Sequence, residues 1–266
     1  MKNSGRIKIS LITITYNSEK TLRDTIQSVL SQEYELIEYI VVDGASTDRT
    51  LSIIKEYELL FKNRLKWISE PDKGLYDALN KGIQMATGDI VGILNSDDFF
   101  TSNDVLKKVA EAFIENDEIY AIYGDVHFVH GDNLTQCVRY YSSKIFKREL
   151  MVMGFMPAHP SFYIRKKCLD KHEYYKTDYK IAADFELLLR LIYKNNIKTL
   201  YLPIDMVTMR MGGVSTSGLK SHKFIMKEHM RAFRENDIYT NPFIFSLRYV
   251  YKIWELQKSK FVKSLQ

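Results

Sequence analysis

Four short runs rich in apolar and β-branched residues, at 7–14, 36–42, 65–69 and 90–94, alternate with stretches whose apolar side chains recur at helical spacing. This alternation constrains the fold more than any other feature, because successive βα units pack as a parallel sheet covered by helices with right-handed crossovers. Leu22, Ile26, Val29 and Leu30 make one helical stripe behind an Asn17-Ser18 cap, and Leu51, Ile54 and Tyr57 a second behind Ser46-Thr47-Asp48. Leu75, Leu79 and Ile83 make a third, which Gly88 is expected to stop. Farther on, 121–141 reads as a hairpin turning at Gly131-Asp132-Asn133, and 184–195 as a strongly apolar helix. The expected fold class is α/β, with a single, mainly parallel central sheet flanked by helices. No internal repeat and no Pro/Gly/Ser-rich linker divides the chain, so the second half is expected to fold onto the first.

The 266 residues, 45% of them hydrophobic, suffice for a substantial core, and disorder is not expected. Cys137 and Cys168 have no metal-like spacing, which points to a reduced cytosolic protein without disulfides or zinc. The first apolar run is about seven residues long, a strand and not a signal peptide's core. No stretch approaches the roughly 20 apolar residues of a membrane span. The expected location is therefore cytoplasmic. Near the C-terminus Arg248, Lys252, Lys258, Lys260 and Lys263 oppose only Glu255, among Phe243, Phe245, Leu247, Tyr249, Val250, Tyr251, Trp254 and Phe261. Two readings stand for this tail: it rests on an anionic membrane surface at the inner face of the cell membrane, or it is a capping helix packed on its own domain.

Parallel strands place their C-terminal ends on one edge, where open α/β sheets bind ligands. Three such ends carry polar chemistry: Thr15-Tyr16-Asn17, Asp43-Gly44-Ala45-Ser46-Thr47-Asp48 and Asn95-Ser96-Asp97-Asp98. Adjacent carboxylates at a strand end are hard oxygen donors that suit Mg²⁺ or Mn²⁺ carrying a phosphorylated substrate; the alternative is an Asx turn opening the next helix. No glycine-rich Rossmann or P-loop fingerprint occurs, which counts against NAD enzymes and P-loop kinases.

With Glu70-Pro71-Asp72-Lys73-Gly74-Leu75-Tyr76-Asp77-Ala78-Leu79-Asn80-Lys81-Gly82 between these ends, the chain resembles the family 2 glycosyltransferases of the GT-A fold, of the bacterial surface-polysaccharide type. The resemblance implies a nucleotide-diphospho-sugar transferase that moves a sugar, with inversion, from a UDP-sugar to a hydroxyl of a glycan or lipid-linked glycan. It implies that Asp43 reads the uracil imide, that Thr15, Tyr16 and Asn17 pack against base and ribose, and that Asp72, Lys73 and Gly74 line the donor site. The metal motif reads Asn95-Ser96-Asp97, its first acid replaced by Asn. Asp97 is then the main ligand of Mn²⁺ or Mg²⁺, with Asn95 or Asp98 at the ribose or a metal-bound water and His159 completing the shell or touching phosphate. Asp184, within Ala182-Ala183-Asp184-Phe185-Glu186, takes the place of the catalytic base, and a helix N-terminus there is expected to keep its pKa low. Glu186 is the weaker candidate, and the other histidines are read as surface or packing residues. Met211-Gly212-Gly213-Val214-Ser215-Thr216, with Lys220, His222 and Lys223 beyond, reads as a loop able to close over a diphosphate.

On this reading 1–100 is a nucleotide-sugar-binding half, 101–235 the acceptor-binding and catalytic half, and 236–266 a basic aromatic helical tail; no nucleic acid is expected as a partner. A sugar-1-phosphate nucleotidyltransferase would need a glycine-rich basic loop after the first strand, which is absent. A noncatalytic nucleotide-sugar-binding protein is the rival from another class, and Asn95 is the feature that favours it.

Overall fold

The computed structural model describes residues 6–131, 133–212 and 218–247. Residues 213–217 of the glycine loop, the side chains of Lys220, His222 and Lys223, and the tail from 248 lie outside the described residues.

Strands β1 (Ile9–Thr15), β2 (Ile37–Asp43), β3 (Leu65–Ser69) and β4 (Ile90–Ile93) pair in parallel in the order β3-β2-β1-β4. Helices α1 (Leu22–Leu30), α2 (Thr50–Glu58) and α3 (Leu75–Met85) form the crossovers. β2 is buried along its whole length, as a strand covered on both faces must be. Its side chains alternate, with Tyr39 and Val41 in the core beneath α1 and α2, and Ile40 and Val42 in the core beneath α3. Each fully buried side chain of this kind contributes about 1.5–3 kcal/mol.

The sheet continues through β8 (Tyr163–Arg165), β6 (Ala121–His130), β9 (Thr199–Arg210) and β5 (Phe99–Phe100), while β7 (Asn133–Tyr141) forms a hairpin with β6. β6 and β9 are parallel, whereas the pairings of β8, of β5 with β9 and of the hairpin are antiparallel. β5 follows β4 after a single turn yet pairs at the far end of the sheet, so the sheet curls. The curl lays β5 against α1, where Ser28 Oγ accepts the Phe100 amide at 3.2 Å. Helices α4 (Val105–Glu115), α5 (Lys166–His172), α6 (Ala183–Leu188) and α7 (Gly218–Glu235) cover this half, and α6 runs on into a wider π turn, Leu189–Lys194.

Three local expectations are corrected. α1 begins at Leu22 rather than behind an Asn17 cap, because Asn17, at φ 49°, uses its side chain to accept the Thr47 amide at 2.9 Å. The buried stripe of α3 is Tyr76, Leu79 and Ile83; Leu75 is 47% exposed. Gly88 is not the stop of α3, which ends at an extended Ala86. Gly88 is small because a Cβ there would meet Lys8 O at 2.7 Å and Ser10 N at 2.8 Å. At the tail, Phe245 is buried against Phe185, His229 and Phe233, which favours packing on the domain for that residue.

Candidate active site

The ends of β1, β2 and β3 are tied together by backbone: Gly44 N donates to Thr15 O at 2.9 Å and Glu70 N to Asp43 O at 3.0 Å. Asp43 is fully buried, its Oδ2 accepting Ser46 N at 2.9 Å and Ser69 Oγ at 2.6 Å, so its carboxylate organises the loop it opens. Asn17 N donates to Ser46 Oγ at 2.8 Å, and the Ser18 and Ser96 hydroxyls lie 3.0 Å apart, which joins the β1 loop to the β4 turn. Tyr16 is 65% exposed at this edge. Gly44 separates its ring from Asp72: a Cβ on Gly44 would stand 3.0 Å from Asp72 Oδ2 and 3.4 Å from Tyr16 Cδ2. Asp72 is held by Lys81 Nζ at 2.6 Å, and Lys81 also reaches Glu70 at 2.9 Å. Lys73 and Gly74 are exposed at the start of α3, with Lys73 N on Asp77 Oδ2 at 3.0 Å. The buried Thr15 Oγ1 has no hydrogen-bond partner. An open ring, a bare glycine and a fixed carboxylate at one spot suit a planar base and a ribose.

The β4 turn is closed by Asp98 N on Asn95 O at 3.1 Å. Asp98 is buried, with Asn95 Nδ2 on its Oδ2 at 2.9 Å, Arg210 N on its Oδ1 at 3.3 Å and Thr25 Oγ1 on its carbonyl at 2.7 Å. Arg210, at the end of β9, donates Nη1 to Asp97 O at 2.6 Å, pairs with Asp24 and lies over the Phe99 ring at 5.1 Å. Burial, and then the neighbouring Asp97 charge, push the Asp98 carboxyl up to about 7; burial also raises Asp97. Two adjacent carboxylates that burial and mutual repulsion disfavour as anions are suited to a hard divalent cation. Among the described residues no group of three or more His, Cys, Asp or Glu is gathered for a metal. The fit is therefore to an ion held by one or two carboxylates and completed by phosphate and water, the usual arrangement for Mg²⁺.

Asp184 lies in the first turn of α6, its Oδ1 accepting the Phe185 amide at 2.7 Å. Around it stand Tyr76, whose hydroxyl bonds Ile181 O and reaches Asp184, and His159, whose Nε2 lies 2.7 Å from Tyr175 Oη. The Tyr76 and Tyr175 rings stack at 5.7 Å, and Asn80 clamps the Tyr175 backbone with its Oδ1 at 3.0 Å and Nδ2 at 2.8 Å. The low pKa expected from the helix N-terminus is corrected: burial raises the Asp184 carboxyl, and the His159 charge, the Phe185 amide and Tyr76 offset this only in part. Burial lowers His159, with Asp184 opposing. Glu186 points the other way, fully buried on Arg190 and Lys176. His229 packs on Phe185 and His127 pairs with Asp205 at 2.7 Å.

Sequence reasoning missed Arg210, Tyr76 and Tyr175. Arg210 reaches the Asn95–Asp98 turn from 113 residues away and carries no local signal, whereas Tyr76 sits within the quoted α3 motif.

The sequence profile described as "Glycosyl transferase family 2" matches residues 10–173. An "Uncharacterized glycosyltransferase" of Mycobacterium tuberculosis is 32% identical over 219 residues, covering 81% of this chain and 78% of that protein. The crystal structure of S. aureus TarS superposes with a TM-score of 0.63 at 21% identity over 85% of this chain, which spans 43% of the TarS chain. TarS 1-349 in complex with UDP-GlcNAc gives 0.63 at 22% identity, covering 85% of this chain and 66% of that one. The mannosyltransferase PcManGT from Pyrobaculum calidifontis, in complex with GDP-Man and Mn²⁺, gives 0.64 at 18% identity, covering 91% and 68%. The fold shared with these neighbours is GT-A. Because the profile spans more than half of the residues and the mycobacterial relative aligns over most of both chains, this chain belongs to glycosyltransferase family 2 and is a transferase enzyme.

Proposed function

We propose that the enzyme transfers a sugar, with inversion and with the help of a divalent cation, from a UDP-sugar to a hydroxyl of a glycan or lipid-linked glycan in cell-surface polysaccharide synthesis. One observation carries this reading: the first turn of α3 joins the two ends of the site. Asp72, Lys73 and Gly74 precede it on the donor side, and the hydroxyl of Tyr76 within it donates to Ile181 O, three residues ahead of Asp184. On this assignment residues 1–100 hold the donor and 101–235 the acceptor.

The uracil and ribose pack on Tyr16, against Thr15, Asn17 and Gly44. Asp43 reads the base through acceptor capacity beyond its bonds to Ser46 and Ser69, and Asp72 bonds the ribose or sugar. Lys73, Gly74 and Ser96 line the diphosphate. Asp97, backed by Asp98 and Asn95, would hold Mn²⁺ or Mg²⁺, which supplies neutralisation of the charge growing on the departing diphosphate. His159 has Nδ1 left for the metal or a phosphate, because Tyr175 engages Nε2. Asp184 takes the proton from the acceptor hydroxyl as that oxygen attacks the anomeric carbon. The bond from that carbon to the phosphate oxygen breaks on the opposite face, and UDP leaves with the electron pair. A carboxylate whose pKa is raised by burial is the better matched base at neutral pH.

UDP-GlcNAc in TarS and GDP-Man in PcManGT define the donors to compare. Thermal shift with UDP- and GDP-sugars, with and without Mn²⁺, tests the donor reading, because a ligand bound only to the native state raises its apparent stability. A UDP-sugar shift that needs Mn²⁺ supports it; a preference for GDP-sugars overturns it. Tyr239 and Phe243, 83% and 76% exposed just ahead of the basic run from Arg248, support peripheral contact with an anionic membrane surface.

A further inference from the structure

The segment that leads into Asp184 is gripped by one helix. Along α7, Glu235 takes Lys176 at 2.8 Å and the Tyr179 hydroxyl at 2.9 Å, and Arg231 pairs with Asp178. Glu228, 6% exposed, accepts three successive backbone amides: Lys180 N on Oε1 at 2.7 Å, and Ile181 N and Ala182 N on Oε2, each at 2.9 Å. Consecutive N–H groups converging on one anion form a strong, charge-assisted cradle. The middle residue of the three, Ile181, offers its carbonyl to the Tyr76 hydroxyl, and the Ala182 carbonyl accepts Glu186 N at 3.0 Å in the first turn of α6. Next to Glu228, the His229 ring packs at a tilt of 51° against that of Phe185, with centroids 4.2 Å apart. One turn of α7 thus holds the backbone before Asp184 and packs on the ring of the residue after it.

We infer that Glu228 is a positioning residue for transfer: its carboxylate fixes the 180–182 backbone and, through it, the placement of Asp184 and Tyr76 at the acceptor hydroxyl. This rests on Asp184 being the base. A reacting group displaced by about 1 Å loses on the order of 10²-fold in rate, so the effect is expected in turnover and not in donor binding.

Glu228→Gln keeps the size of the side chain but turns one acceptor oxygen into an amide donor, so at least one of the three N–H groups loses its partner. Turnover is expected to fall at least tenfold with UDP-sugar affinity within threefold of wild type. Amide exchange is expected to quicken in the peptide covering 178–186. In an Asp184→Asn background the same change is expected to cost less than a further threefold, because residues acting through one group are not additive. Wild-type turnover in Glu228→Gln, or the full loss repeated in the Asp184→Asn background, would overturn the inference. If Glu228→Gln does not fold, Glu228→Asp, with both acceptors on a shorter stem, carries the same comparison. Failure of both to fold would leave Glu228 a purely structural role. Near-normal transfer by Asp184→Asn alone would instead remove the base assignment, and the two failures are thereby distinguished.

Discussion

The side-chain amide of Asn95 donates to Oδ2 of Asp98 at 2.9 Å. An ionised acid at position 95 would have set one acceptor against another at the buried Asp98 carboxyl; the amide instead supplies it with a hydrogen-bond donor. The departure from the acidic motif therefore has a structural role in a turn whose other acids are intact. Asn95→Ala should strand that oxygen and cost about 1–3 kcal/mol. Urea unfolding in chelator measures this, and an unchanged midpoint and slope would contradict it.

The pH dependence of stability has a definite sign. Burial first, and the Asp97 charge second, hold the Asp98 carboxyl up at about 7. The folded protein thus keeps a proton that the unfolded chain releases near pH 4, so this group's contribution is full below about pH 4 and is lost as the pH rises towards 7. Asp98→Asn, which does not titrate, should therefore gain on the wild type across that window by on the order of a few kcal/mol in chelator. Equal pH slopes for the two proteins would contradict the assignment.

Chelation should abolish transfer, and Mn²⁺ or Mg²⁺ should restore it. Asp97→Ala should lose metal-dependent turnover while remaining folded. Asp98→Ala should chiefly lose stability, because Asn95 and the Arg210 amide both lose their acceptor. Full activity in EDTA would rule out the metal.

No helix among the described residues is long and apolar enough to cross a membrane, and the proposed contact is one made at the surface by Tyr239, Phe243 and the basic run beyond them. Binding to anionic vesicles is expected at low salt, to fade as salt screens the charge, and to weaken severalfold in a Tyr239→Ser, Phe243→Ser double variant. Sedimentation with liposomes reads this. No binding at low salt, or binding indifferent to both residues, would refute the contact.

What was legible in the sequence was local. The strand ends at Thr15, Asp43 and Asp97 follow from βα alternation, which needs only neighbours in the chain, and the comparisons bear out the family and fold that these motifs imply. What was illegible depends on tertiary packing. The stripe on α3 was displaced by one residue, from Leu75 to Tyr76, because the core that selects Tyr76 includes Tyr175 and Ala183 from the second half. The sign of the Asp184 shift was missed because a helix N-terminus is visible in sequence, whereas the burial that outweighs it is not. Arg210 and Glu228 act on the site from β9 and α7, far along the chain, through backbone amides and carbonyls that leave no pattern of side chains to read.

In the proposed mechanism Asp184 takes the acceptor proton. Asp184→Asn keeps the size of the side chain and its carbonyl acceptor for the Phe185 amide but cannot accept a proton, so fold and donor binding should survive. General-base contributions run to roughly 10²- to 10⁴-fold, and a loss of that size is expected in single-turnover transfer, with UDP-sugar affinity within a few-fold of wild type. Near-normal transfer by Asp184→Asn would remove it as the base, and loss of donor binding together with stability would show its role to be structural.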